Sequence, residues 1–167
     1  YLGDHGPGSS KYGSWASPCY HDGNVWCALP GAVNGGIMVA DGKVFGGDWD
    51  GHNYYCRDEE TDEELWDFTV SGYAAGTPGY YDGMVYFTSW VYTGGHIYCV
   101  DHDTGSEIWH QTVPLDVCSS PTIVNGIVYV TTYDFYGDGD IYALNATDGD
   151  ILWSQTIPRS DSTPAVV

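Results

Sequence analysis

Short apolar runs separated by Asp-Gly or Asn-Gly set the pattern along this chain. Residues 77–81 and 84–89 flank Asp82-Gly83, and residues 120–124 and 127–132 flank Asn125-Gly126. Both central residues of a type I′ turn need positive φ, so these dipeptides between apolar runs predict two β-hairpins. Tyr98 to Val100 and Tyr142 to Leu144 supply a third strand to each hairpin. Residues 107–112 and 151–156 supply a fourth, after turns at Thr104-Gly105 and at Thr147-Asp148-Gly149. No helical 3.6-residue periodicity of useful length competes with this reading.

The unit recurs. Tyr55-Cys56-Arg57-Asp58 leads through Thr61 to Trp66, Tyr98-Cys99-Val100-Asp101 through Thr104 to Trp109, and Tyr142-Ala143-Leu144-Asn145 through Thr147 to Trp153. Trp26, Trp66, Trp109 and Trp153 are 40, 43 and 44 residues apart, and Pro78, Pro121 and Pro164 recur every 43. Four short strands at such a period predict an all-β fold, a β-propeller of four-stranded antiparallel blades. A β-sandwich gives no reason for a periodic Trp.

The repeats divide as 26–66, 67–109, 110–153 and a partial unit 154–167, behind an irregular lead-in of residues 1–25. Two registers fit the N-terminus. Trp26 ends an outer strand, since Trp26 to Gly42 spans 16 residues against 17 for Trp66 to Gly83; or residues 17–26 imitate the inner hairpin. The first is preferred because it keeps one register downstream. About three blades and a strand are too few for a closed ring of at least about four, so the chain reads as part of a larger ring or as one of several assembling copies.

Composition agrees: 15 Tyr, 7 Trp and 23 Gly suit pleated surfaces and tight turns. Charge narrows the partners. With 23 Asp and Glu against 4 Lys and Arg, the formal net charge is −19, which repels nucleic-acid phosphate and anionic membrane surfaces. Such a surface suits a salty or extracellular setting of the archaeal kind, and it also attracts divalent cations. No apolar run is long enough to span a bilayer.

In its second copy, from Cys99 through Trp109 to Tyr129, the chain resembles the PQQ-like (quinoprotein alcohol dehydrogenase-like) repeat propellers. Their repeat reads small-x-Asp-x-x-Thr-Gly-x-x-x-Trp, then Ser-Pro and Gly-x-Val-Tyr. The third copy has Asn145 for the motif Asp, and the first has Asp62 for the motif Gly. The resemblance implies a ring of about seven or eight blades. It also implies that the outer-strand Trp residues, Trp26 in the preferred register with Trp66, Trp109 and Trp153, dock on a neighbouring blade near a turn Gly. Cys56 and Cys99, aligned with Ala143, then serve as small buried residues.

Enzymes of that family hold their quinone with an adjacent Cys pair, a flat Trp, calcium and cationic side chains. Here no two cysteines are adjacent, and Lys11, Lys43, Arg57 and Arg159 are the only cations. The resemblance therefore points to no PQQ and no catalytic residue in this segment. It points instead to a non-catalytic, surface or secreted scaffold, like the outer-membrane assembly lipoproteins that bind protein partners through loops. Two alternatives stand: a segment of a quinone-dependent dehydrogenase with its cofactor site elsewhere, and a carbohydrate-binding or sensor module.

Remaining candidates are few. Asp134, Asp138 and Asp140 share a Gly-containing loop, and Asp48 and Asp50 share another; calcium takes about 6–8 oxygens, so these are candidate ligands without EF-hand spacing. Otherwise no cofactor is expected. Asn145-Ala146-Thr147 is a glycosylation sequon on a turn. Trp49, Trp90, Tyr92, Phe135 and Tyr136 stand on loops where rings can stack on sugars. Five cysteines leave one unpaired, with a Cys19–Cys27 bridge conceivable. The six histidines show no metal or triad spacing.

Overall fold

The structure, a computed structural model, describes residues 18–26 and 35–166. It opens on a hairpin of β1 (Cys19–His21) and β2 (Asn24–Trp26). Three antiparallel blades follow. The first runs β3 (Met38–Ala40), β4 (Lys43–Asp48), β5 (Asn53–Asp58) and β6 (Glu64–Thr69), each strand paired to the next. A short β7 (Tyr73–Ala74) then leads to β8 (Gly79–Tyr81), β9 (Met84–Trp90), β10 (Gly95–Asp101) and β11 (Glu107–Val113). The third blade is β12 (Thr122–Val124), β13 (Ile127–Thr131), β14 (Gly139–Asn145) and β15 (Ile151–Ile157). No helix among the described residues is long and apolar enough to cross a membrane.

The inner turns are the expected ones. Asp41-Gly42, Asp82-Gly83 and Asn125-Gly126 all have positive φ at both positions. Asp22-Gly23, with φ of 42° and 83°, repeats this turn between β1 and β2. Residues 19–26 are therefore an inner hairpin, and the preferred register is corrected: Trp26 does not end an outer strand, and the stretch up to residue 25 is not all irregular lead-in. The Trp-to-Gly count gave no weight to Asp22-Gly23, whose φ demand matches the other three turns. Gly23 and Gly42 are only 19 residues apart, against 41 and 43 for the later turns.

Packing follows period-two alternation, and the middle blade is buried from both sides. Val85, Phe87, Tyr98 and Val100 of the middle blade meet Phe45, Tyr54 and Cys56 of the first. Their sequence neighbours Tyr86, Ile97 and Cys99 meet Val128, Val130, Tyr142 and Leu144 of the third. In each blade a small residue faces the Trp across the strand pair: Cys56 opposite Trp66, Cys99 opposite Trp109, Ala143 opposite Trp153. An irregularity of register follows that pair each time. A larger side chain there would compete with the indole for one face.

A hydroxyl belt ties the blades together. Gly36 N donates to Thr77 Oγ1 (2.6 Å), Thr77 N to Ser120 Oγ (2.9 Å), and Ser120 N to Thr163 Oγ1 (3.3 Å). These are the Thr and Ser residues preceding Pro78, Pro121 and Pro164.

The third-to-fourth strand turns share one device. Asp101 Oδ1 accepts from Asp103 N (3.1 Å), Thr104 N (2.8 Å) and Thr104 Oγ1 (2.9 Å), and Asp58 does the same for Glu60 and Thr61. The Thr hydrogen bonds hold both carboxyls below the usual carboxylate range. A depressed folded pKa contributes stability above the unfolded value of about 3.9, and that contribution is lost as pH falls through the folded value. Asn145 offers a neutral Oδ1 to Thr147 N (2.9 Å) in the same place. We expect Asp101→Asn to fold with little loss at neutral pH and Asp101→Ala to melt lower. Thermal melts between about pH 3 and 7 should show a shallower acid-side decline for Asp101→Asn than for the parent.

Candidate functional face

Antiparallel meanders send their turns to two ends. At one end the inner turns meet the third-to-fourth turns, as Glu59 N to Gly42 O, His102 N to Gly83 O and Ala146 N to Gly126 O record. At the other, the second-to-third loops meet the links between blades: Val70 N donates to His52 O and Tyr133 N to Asp116 O.

The second end carries a run of aromatic rings. Trp49 stacks on Tyr73 (centroids 4.8 Å apart) and leans on Trp90 (5.2 Å). Trp90 meets Tyr92 (4.3 Å) and Phe135 (6.1 Å), and Phe135 meets Tyr133 (4.9 Å) and Tyr136 (6.5 Å). One strip thus crosses all three blades. Its solvent side is formed by Tyr92, Phe135 and Tyr136, which are 67%, 48% and 100% exposed. Sequence reading found five of these rings; Tyr73 and Tyr133, which join them, carry no motif. Asp48 Oδ1, Asn53 Oδ1, Trp90 Nε1 and Asp116 Oδ1 are buried at this end without a hydrogen-bond partner.

The acidic loops lie beside the strip. Asp134 Oδ1 caps its own turn by accepting from Tyr136 N (2.9 Å), Asp140 Oδ1 accepts from Thr156 Oγ1 (2.9 Å), and Asp138 is exposed. Asp48 folds its carboxylate over Gly51, and Asp50 is exposed. Among the described residues no three His, Cys, Asp or Glu side chains gather as a metal-holding group. Arg159 donates to the Phe135 carbonyl (2.8 Å), so this cation is engaged in holding the loop.

The periodic indoles lie elsewhere, between blades. Trp66 Nε1 donates to the His102 carbonyl (3.1 Å) and Trp109 Nε1 to the Ala146 carbonyl (2.8 Å). Each lies against the turn glycine of the following blade: a Cβ on Gly105 would sit 2.8 Å from the Trp66 ring, and one on Gly149 would sit 2.7 Å from the Trp109 ring. Trp153 packs on Tyr129 and is 45% exposed. Asp62, at φ 60°, occupies the place of those glycines in the first blade and takes Arg57 Nε (2.8 Å).

Asn145 Nδ2 donates to Asp148 Oδ2 (3.2 Å) within an exposed turn. Burial pushes the Cys56, Cys99 and Cys118 thiols up to about 12, so they stay protonated and unreactive at neutral pH. Cys27, and with it the Cys19–Cys27 bridge, lies outside the described residues.

Residues 87–167 match a family model described as outer membrane protein assembly factor BamB. No curated protein matches the chain. Among solved structures the chain is similar to the quinohemoprotein alcohol dehydrogenase of Comamonas testosteroni, with TM-score 0.66 and 21% identity over 75% of this chain and 21% of that one. A europium-containing methanol dehydrogenase gives TM-score 0.66 and 19% identity over 78% of this chain and 26% of the other. BamB from Moraxella catarrhalis gives TM-score 0.51 and 15% identity over 82% and 56%. The chain therefore spans about a fifth to a quarter of those dehydrogenases. At these identities the likeness is one of fold.

Proposed function

We propose that this chain, a run of PQQ-like propeller repeats, belongs to a non-catalytic binding propeller on the outer side of a cell, and that its partner surface is the aromatic loop face. The observation that carries the reading is the ring strip from Trp49 to Tyr136 crossing three blades. Exposed aromatics in one patch are what protein interfaces use as anchors. The matching family model describes an assembly factor, which agrees with a scaffold.

The dehydrogenase alternative has less support in this segment. A quinone carrying three carboxylates would meet a chain of net charge −19 with no adjacent cysteines. A carbohydrate ligand is the second reading, favoured by exposed rings flanked by carboxylates that accept hydrogen bonds from hydroxyls.

Equilibrium dialysis against PQQ with calcium should leave no quinone absorbance with the protein; stoichiometric retention would return the chain to the enzymes. A photo-crosslinking residue at Tyr92 should give discrete protein adducts in the producing cell, and the same residue at Leu65 on the periphery should not. Equal adducts at both positions would remove the loop face as the partner surface. Quenching of Trp fluorescence by a polysaccharide, without adducts, would favour the second reading.

A further inference from the structure

We propose that His96 and His110 form a two-imidazole binding site for a divalent transition metal, with Cu2+ its strongest ligand, on the outer half of the middle blade. His96 on β10 and His110 on β11 point to the same side of the sheet, on either side of Tyr98. His96 Nδ1 lies 2.7 Å from His110 Nε2. Metal–imidazole bonds of about 2.0–2.1 Å at a right angle place the two nitrogens about 2.9 Å apart. The pair therefore already stands near chelating distance.

The rings are held ready. Tyr98, almost fully buried, stacks under His110 at 4.6 Å and 13° and under His96 at 5.9 Å and 22°. Its hydroxyl oxygen accepts from Ser71 N (3.0 Å), which fixes the ring from the preceding link. Thr112 Oγ1 lies 3.5 Å from His96 Nδ1 and adds an oxygen beside the pair. His110 is exposed and His96 half-buried, so water can fill the remaining coordination positions.

The repeat itself does not require these histidines. The positions aligned with His96 and His110 hold Asn53 and Asp67 in the first blade and Asp140 and Ser154 in the third. The pairing is a property of one blade. Imidazole suits copper, nickel and zinc, with copper the tightest of the divalent series, and the acidic surroundings raise the local concentration of any cation.

The test uses the whole chain and Cu2+ alone, titrated in millimolar Ca2+ so that surface carboxylates are already occupied. Electron paramagnetic resonance of the first equivalent should show coupling to two nitrogens. His96→Gln and His110→Gln should each leave one nitrogen and weaken binding. Losing a ligand costs at least as much as losing an outer partner of one, about 10–100-fold. His102→Gln, at the opposite end of the blade on the Gly83 carbonyl, should bind as the parent does. If His110→Gln misfolds by near-ultraviolet dichroism, His110→Ser, which installs the residue of the third blade, replaces it. An oxygen-only spectrum, or unchanged affinity in either folded variant, overturns the site.

Discussion

Trp109→Ala is expected to lower the unfolding free energy by about 3–5 kcal/mol, the usual loss for a buried aromatic truncated in a core. Trp153→Ala is expected to cost less than about 1 kcal/mol. The two residues hold the same place in successive repeats and differ in what lies beyond them. Trp109 is 7% exposed, touches Tyr86 and Gly149, and donates to the Ala146 carbonyl. Removing it opens a cavity between two blades and leaves that carbonyl with only the Tyr86 hydroxyl as side-chain donor. Trp153 is 45% exposed on the outer face of the third blade. Denaturant melts of the two variants measure the difference directly. Equal losses would mean that the indoles act within their own blades and do not join one blade to the next.

Gly105→Ala carries the second large effect, about 2–5 kcal/mol. At φ 67° an L side chain costs about 1–2 kcal/mol on its own. The new methyl would also sit 2.8 Å from the Trp66 ring, and overpacking of that kind adds about 1–3 kcal/mol. Gly42→Ala isolates the first contribution: φ is 70° and nothing lies within 4 Å of the added carbon. Melting of both variants should rank Gly105→Ala well below Gly42→Ala. If they lose equally, the glycine answers to backbone conformation alone and the indole contact adds nothing.

The hairpins and their turns were legible because Asp-Gly and Asn-Gly state a local φ requirement that no tertiary contact has to supply. The Trp period was legible for a different reason: a side chain of that size recurring at a fixed interval has few uses besides joining like units. Trp26 misled because an indole in a short hairpin looks the same in sequence as one on an outer strand. The hydroxyl belt was hidden in plain view. Thr77, Ser120 and Thr163 precede recurring prolines, but only the placement of blades shows each oxygen meeting the amide of the blade before it. The same holds for the candidate sites. Tyr73 and Tyr133 complete the ring strip from positions without a motif, and His96 meets His110 only because β10 and β11 pair with Tyr98 directly opposite His110. Contacts between strands set by register are not written in spacing along the chain.

Asp62 has a bearing on what can pack against the first blade. A repeat unit that offers an indole on one flank and a slot for it on the other is prone to open polymers, since nothing limits head-to-tail addition. Here the slot on the leading flank is filled: Asp62 brings a Cβ, and a carboxylate already clasped by Arg57, to the spot that Gly105 and Gly149 leave vacant for a ring. An indole arriving at that flank, from whichever segment carries it, meets a charged pair where the two later blades present a bare turn, so this junction is built on different chemistry from the two that follow.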